Sequence, residues 1–292
     1  MGSTESNTDQ NLVNTSTPNL FSLHDRTIIG KYFTGATGGL GSQLSRAILE
    51  SGGDVIAIDY GDVPPTTWEP LQSLAKSLSR TLTYHACDIS SQSLTTSVFE
   101  LAAAQARYPV RGLINCAGIG TVGDSIDYPE DQTRRTLDVN LAGSLYVAQA
   151  AAKVVTKQYH EGKSLGASFV FVASMSGYIS NKATPTAIYS ASKAGVHQLV
   201  RSLAGEWGSS SPTSSSSPII RVNSISPGVI ETPMTKHVLA KQEWTSVWQQ
   251  EAMLKRISTP DEYRGAVIFL LADASSYVTG TDLRVDGGST AW

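Results

Sequence analysis

The chain has 292 residues, 40% of them hydrophobic and 16% charged, room for one large α/β domain or two small ones. Its 22 Lys+Arg against 25 Asp+Glu give a net charge of -3, which argues against a broad basic surface for nucleic acid or anionic membrane. No apolar run approaches the roughly 20 residues that span a bilayer.

Residues 1–20 are polar and carry no Lys or Arg. They are expected to form a disordered tail rather than a secretory or mitochondrial leader, which makes the Asn14-Thr15-Ser16 sequon a chance match. From residue 21 to 292, short β-branched runs alternate with amphipathic stretches. Strands are expected to end near Phe33, Ile58, Ala86, Asn115, Val172, Ser224 and Val285. Helices are expected over Gly41–Glu50, Ser91–Ala106, Arg134–Thr156 and Ile188–Trp207. This alternation predicts an α/β fold: one doubly wound domain, a parallel sheet of about seven strands with helices on both faces.

The first expected strand runs into Thr34-Gly35-Ala36-Thr37-Gly38-Gly39-Leu40-Gly41, which opens a helix. Glycines there let backbone approach a pyrophosphate, and the helix N-terminus offers it free N–H groups. The spacing is GxxxGxG rather than GxGxxG, and alone it is also compatible with a structural turn. Asp59 closes the next strand. An acid at that place binds both ribose hydroxyls of NAD and repels the 2′-phosphate of NADP, and no Lys or Arg follows before Pro70.

The two cysteines, Cys87 and Cys116, sit in apolar contexts with no CxxC or Cys/His cluster. They are read as reduced, buried thiols of a cytoplasmic protein without a metal site. Asn140 is a poor helix former placed in mid-helix. Ser174 ends an apolar strand at its carboxyl edge, where sites of α/β folds form. Tyr189 and Lys193 stand at i and i+4 of a helix and share a face. An ammonium about 4 Å from a phenol, at an effective dielectric near 20, stabilises the phenolate by roughly 4 kcal/mol, enough to bring it toward neutrality as a proton carrier. Ser209–Pro218 is a solvated Ser-rich loop. Residues 233–258, with Trp244 and Trp248, are expected to fold over a substrate, although an amphipathic core helix explains the tryptophans equally well.

Together these pieces resemble the short-chain dehydrogenase/reductase family, in its simple one-domain branch. The matching segments are TGATGGLG (34–41), CDIS (87–90), NCAG (115–118), LDVN (137–140), ASMSG (173–177), YSASK (189–193), SPGVIET (226–232) and TGTDLRVDGG (279–288). They occur in family order and cover about residues 24–290. The resemblance implies a Rossmann-type domain and the following roles. Tyr189 is the acid/base, Lys193 its modulator and ribose ligand, Ser174 the substrate-oxygen ligand, and Asn140 the holder of a relay water. Gly35, Thr37, Gly38, Gly39, Leu40 and Gly41 cradle phosphate, and Asp59 and Tyr60 meet the adenosine ribose. Asp88 and Ile89 contact adenine, and Asn115, Ala117 and Gly118 line the cofactor. Pro227, Gly228, Ile230 and Thr232 hold the carboxamide.

Two departures stand out. Cys116 replaces the commoner Asn, and the Arg26–Thr34 stretch is about three residues longer than the usual first strand, with Gly30-Lys31 unexplained, a start possible only after Lys31 and the register open. The Ser174–Tyr189 gap and SMSGYISN resemble fungal polyol and ketose reductases of the mannitol, arabinitol and xylulose kind. The implied function is hydride transfer between NAD(H), less readily NADP(H), and a small secondary alcohol or its ketone, in a homodimer or homotetramer. Alternatives are a reductase of a secondary-metabolite ketone, a catalytically silent binding protein, and a methyltransferase, which would leave Tyr189 and Lys193 without a role.

Overall fold

The computed structural model describes residues 15–31, 39–120, 122–209, 217–232 and 235–292. A helical turn, α1 (Thr17–Leu20), precedes β1 (Thr27–Lys31), α2 (Gly39–Glu50), β2 (Asp54–Asp59), α3 (Trp68–Ser77) and β3 (Leu82–Ala86). Then follow α4 (Gln92–Ala104), β4 (Val110–Asn115), α5 (Glu130–Leu137), a π-helical turn (Asp138–Ala142) and α6 (Gly143–His160). The last part holds β5 (Gly166–Val172), α7 (Ala187–Trp207), β6 (Ile219–Pro227), α8 (Lys236–Leu239), α9 (Gln242–Glu251), α10 (Arg264–Leu271) and β7 (Asp282–Val285).

All seven strands are parallel, in the order β3-β2-β1-β4-β5-β6-β7. Period-two alternation divides their side chains between two cores. Ile29, Ile56, Ile58, Phe169 and Phe171 pack with Phe99 of α4, Val147 and Val154 of α6, and Val196 and Val200 of α7. Their neighbours Ile28, Val55, Ala57, Val170 and Val172 pack on the opposite face with Leu44 and Ile48 of α2, Trp68 of α3, and Val267 and Leu271 of α10. Both faces are covered, which is why these strands read as near-continuous apolar runs.

Three expectations are corrected. The first strand begins at Thr27 rather than after Lys31: Gly30 and Lys31 pair with Ala57 and Ile58 on one side and with Ile114 and Asn115 on the other. Fully buried Ile28 and Ile29, one in each core, fix that register. The expected helix Arg134–Thr156 is two α-helices joined by the π turn that contains Asn140, together spanning Glu130–His160. The expected tail to residue 20 is ordered at least from Thr17, where Pro18 sits in the first turn of α1 and Phe21 meets Phe269 at 6.4 Å between ring centres. Residues 1–14 and most of the Ser-rich segment, 210–216, lie outside the described residues.

Candidate active site

The strand order reverses between β1 and β4, and the crevice at such a reversal is where open α/β sheets bind ligands. A cleft of about 680 Å³ opens there, at the carboxyl ends of the strands. Gly39, Leu40 and Gly41, the first turn of α2, line it. Gly35, Thr37 and Gly38 of the expected phosphate turn lie outside the described residues.

Three of the four residues expected to carry chemistry, Ser174, Tyr189 and Lys193, line this cleft. Ser174 follows β5, and its Oγ accepts from the Ser176 amide at 3.1 Å, starting a short 3-10 turn over Met175–Gly177. Tyr189 lies in the first turn of α7 and Lys193 one turn later. Burial pushes the Tyr189 phenol above its ordinary value, and a hydrogen bond with Ser174 pulls it back in part. Lys193 is 3% exposed, and burial lowers it to about 8. Its Nζ donates to the Val172 carbonyl at 2.7 Å and stands 5.9 Å from the Tyr189 ring centre. The expected lowering of Tyr189 by a lysine at about 4 Å is therefore not found in the protein itself: desolvation dominates, and the ammonium is turned to a backbone carbonyl.

Asn140 is fully buried, and both ends of its amide are engaged. Its Oδ1 accepts from Ile119 N at 2.7 Å, and its Nδ2 donates to Ile119 O and to Ser192 Oγ, both at 2.9 Å. The residue thus ties the segment after β4 to α7, which gives the poor helix former a structural reason to sit in the π turn.

The cleft is shaped to admit a group against bare backbone. A side-chain carbon at Gly118 would lie 3.0 Å from Lys193 Nζ, and one at Gly228 would lie 3.0 Å from Asp286 Cα. Gly118, Pro227, Gly228, Ile230 and Thr232 all line it, so the residues present fit a flat group laid across the strand ends. Asp59, Tyr60, Asp88, Ile89, Asn115 and Ala117 do not line this cavity and stand at or just beyond the ends of β2, β3 and β4. Asp59 is 4% exposed and its Oδ1 accepts from Tyr60 N at 2.7 Å. Asp88 Oδ1 accepts from the Ser90 amide and hydroxyl, Ile89 is buried, and Asn115 Nδ2 donates to Ser144 Oγ at 2.9 Å. Burial pushes the Cys116 thiol up to about 12, against a lowering pull from Lys193.

The other side of the cleft was mostly invisible in the sequence. Met175, Asn181, Thr184 and Thr186 come from the segment between Ser174 and α7, Val122 and Gln132 from the segment after β4 and from α5, and His237, Val238 and Lys241 from around α8. Trp244 and Trp248 of α9 also line it, and Trp248 is 8% exposed. Lys241 Nζ stands 3.7 Å over the Trp244 ring. Lys182 Nζ and Glu251 Oε1, 3.2 Å apart, join the Ser174–α7 segment to the end of α9, whose last carbonyl, at Glu251, accepts from Trp292 Nε1 at 2.6 Å. Among the described residues no group of three or more His, Cys, Asp or Glu side chains could hold a metal ion, and no helix is long and apolar enough to cross a membrane.

A doubly wound sheet with a serine, tyrosine and lysine gathered at its reversal point defines a dinucleotide-linked oxidoreductase. The family model described as Enoyl-(Acyl carrier protein) reductase matches residues 35–290. Short chain dehydrogenases/reductase notP′ of Aspergillus versicolor is 45% identical, over 95% of this chain and 91% of that protein. The NADH-dependent L-xylulose reductase of Ambrosiozyma monospora is 37% identical, over 89% and 94%. Among solved structures, the NADPH-dependent 3-quinuclidinone reductase of Rhodotorula rubra superposes with a TM-score of 0.82 at 29% identity, over 95% and 96%. The chain belongs to the short-chain dehydrogenase/reductase family and is a nicotinamide-dependent oxidoreductase of CH–OH groups.

Proposed function

We propose that the chain interconverts a polyol and its ketose with NAD(H). The observation that carries the reading is the gathering of Ser174, Tyr189 and buried Lys193 on one wall of the cleft, with Ser174 near enough to Tyr189 to lower its phenol. Tyr189 gives a proton to the carbonyl oxygen in reduction and removes it in oxidation, while Ser174 donates to the same oxygen and holds it. The nicotinamide, when bound, supplies or accepts the hydride at the adjacent carbon. Lys193 binds the ribose, and turning its ammonium from the Val172 carbonyl toward Tyr189 would favour the phenolate. Asn140, which flanks Gly118 together with Lys193, is the proposed water holder. Residues 35–41, Asp59, Tyr60, Asp88, Ile89, Asn115, Ala117 and Gly118 bind the rest of the dinucleotide, and Pro227–Thr232 the carboxamide.

NAD(H) rather than NADP(H) is supported by buried Asp59 and by the absence of Lys and Arg from residue 54 to 70. The polyol pair is supported by the names of relatives such as the L-xylulose reductase. A second reading, a ketone carried on a larger ring system, is favoured by the lining of the cleft. Ser176, Asn181 and Thr186 bond to one another, as do Thr232 and Thr235, while Val122, Met175, Val238, Trp244 and Trp248 offer apolar walls. A steady-state panel of pentuloses, hexuloses, 3-quinuclidinone and acetophenone with NADH and NADPH decides. Ketoses reduced best with NADH support the first reading, and equal or better kcat/KM with NADPH overturns the cofactor assignment.

A homodimer or homotetramer in the cytoplasm completes the proposal. Buried Cys87 and half-buried Cys116, both in apolar surroundings, suit a reducing compartment. The apolar positions of α6 and α7 are largely taken up by the chain's own core, so support for assembly comes instead from exposed Met253, Leu254, Tyr277 and Trp292. Sedimentation as a monomer at micromolar concentration would contradict it.

A further inference from the structure

A buried network that the proposed chemistry does not use lies one helical turn beyond Lys193. Tyr189, Lys193 and His197 are spaced i, i+4 and i+8 on α7, so all three leave the same face. Tyr189 and Lys193 line the cleft, whereas His197 is enclosed, 3% exposed. Its Nε2 is 2.8 Å from Ser226 Oγ and 3.6 Å from Asp282 Oδ1. That Asp282 oxygen accepts from Ser224 Oγ at 2.5 Å and from Ser226 Oγ at 3.0 Å.

The proton directions follow from the carboxylate. Ser226 has one hydroxyl proton and gives it to Asp282, so toward His197 it is an acceptor. The imidazole therefore carries its proton on Nε2. Burial lowers the pKa of His197, Asp282 opposes that, and Arg201 and Lys193 add to it, so the ring is neutral at pH 7. Asp282 Oδ1 takes both serine hydroxyls, and the same carboxylate acts on the Tyr178 hydroxyl, raising it.

The ring of Tyr178 stacks on His197 with centres 4.2 Å apart and planes at 27°. Arg284 stands 5.6 Å from the Tyr178 ring centre, and Arg201 also acts on that tyrosine. The 3-10 turn comes equally close: a side-chain carbon at Gly177 would lie 2.7 Å from His197 Cε1 and 2.9 Å from Ala194 N. His197 thus fills the space where the turn begun by Ser174, the helix carrying Lys193 and the end of β6 converge.

We infer that His197 is a positioning residue: through Ser226 and Asp282 it fixes α7 against β6 and β7, and through Gly177 and Tyr178 it sets the Ser174 hydroxyl opposite Tyr189. The inference rests on the proposed roles of Ser174 and Tyr189. It predicts a defect in turnover rather than in cofactor binding, because a small misplacement at a reacting oxygen costs rate steeply.

The test compares His197→Leu, which keeps bulk but loses Nε2, with His197→Gln, which keeps an N–H at similar reach. Turnover is read with L-xylulose or 3-quinuclidinone and NADH, whichever the wild-type protein reduces faster. His197→Leu should lower kcat about tenfold or more with the NADH Kd changed by less than about twofold, and His197→Gln should recover most of the loss. Ser226→Ala should lower kcat similarly, and the double variant His197→Leu/Ser226→Ala should be little worse than either single one. Amide exchange across residues 174–178 gives a readout independent of turnover and should rise in His197→Leu but not in Tyr189→Phe. Wild-type kcat in His197→Leu, unchanged exchange in the turn, or a loss that tracks NADH affinity in both His197 variants overturns the inference. Should His197→Leu not fold, unaltered kcat and exchange in Ser226→Ala overturn it equally. Full activity in Tyr189→Phe would instead refute the reading of the site, whatever His197 does.

Discussion

At the scale of single residues, the site sets a half-buried phenol, Tyr189, and a buried ammonium, Lys193, against their ordinary ionisation. Tyr189→Phe keeps the ring and its packing and removes the ionisable oxygen. Turnover should fall by about 10² or more, the usual weight of a positioned proton carrier, with NADH binding and the melting temperature nearly unchanged. Lys193 behaves differently. Its value of about 8 lies below that of an exposed lysine, so between those two pH values the folded protein holds fewer protons than the unfolded one. Burying the charged ammonium therefore costs stability at pH 7, on the order of 3 kcal/mol before its bond to Val172 O is counted. Lys193→Met should abolish activity yet raise the cofactor-free unfolding midpoint at pH 7. Because the cost fades as pH rises from about 8 toward the ordinary lysine value, the gain should shrink toward pH 10. A lower midpoint at pH 7 would count against this. Tyr189, Lys193 and Ser174 were legible because helix spacing and a strand end are local facts. The double engagement of Asn140 with Ile119 and Ser192 was not, since both partners are distant in sequence.

At the scale of elements, the βα alternation was readable wherever β-branched runs are buried on both faces. Boundaries and interruptions were harder. The helix over Trp68–Ser77 was not anticipated: it is short, contains Pro70 near its start and buries only Trp68, Leu71 and Ala75. The π turn at Asp138–Ala142 has no sequence mark of its own, because the pull that makes it comes from contacts of Asn140 outside the helix. The start of β5 shows a constraint that sequence hides. Gly166 has φ +146°, and a side-chain carbon there would collide with the Ile219 carbonyl oxygen of the neighbouring strand β6. Gly166→Ala should destabilise the protein by about 2 kcal/mol or more, measured by urea unfolding, while leaving NADH affinity near wild type. A loss below about 0.5 kcal/mol would mean that the β5–β6 pairing shifts easily to make room.

At the scale of the whole molecule, a parallel sheet with helices on both faces followed from the βα alternation and the family resemblance, whereas the order of the strands, the crevice at the β1–β4 reversal and the division into two cores emerge from the structure. The substrate wall was not legible in the same way. It is assembled from four separate stretches, none with a periodic pattern, so only Trp244 and Trp248 signalled it. The Lys182–Glu251 ion pair joins its two sides, and the lysine side chain is 77% exposed. Exposed pairs are weak and are screened by dissolved ions. If leaving the cleft requires those sides to part, ionic strength becomes a control on throughput: kcat should climb modestly, by no more than about twofold, as NaCl rises from about 0.05 to 0.5 M. Lys182→Met should start at the high-salt rate and lose the dependence. The same salt response in Lys182→Met as in the wild type would place the slow step elsewhere. An enzyme built this way is one whose pace is tuned by its solvent while the arrangement of its reacting groups stays fixed.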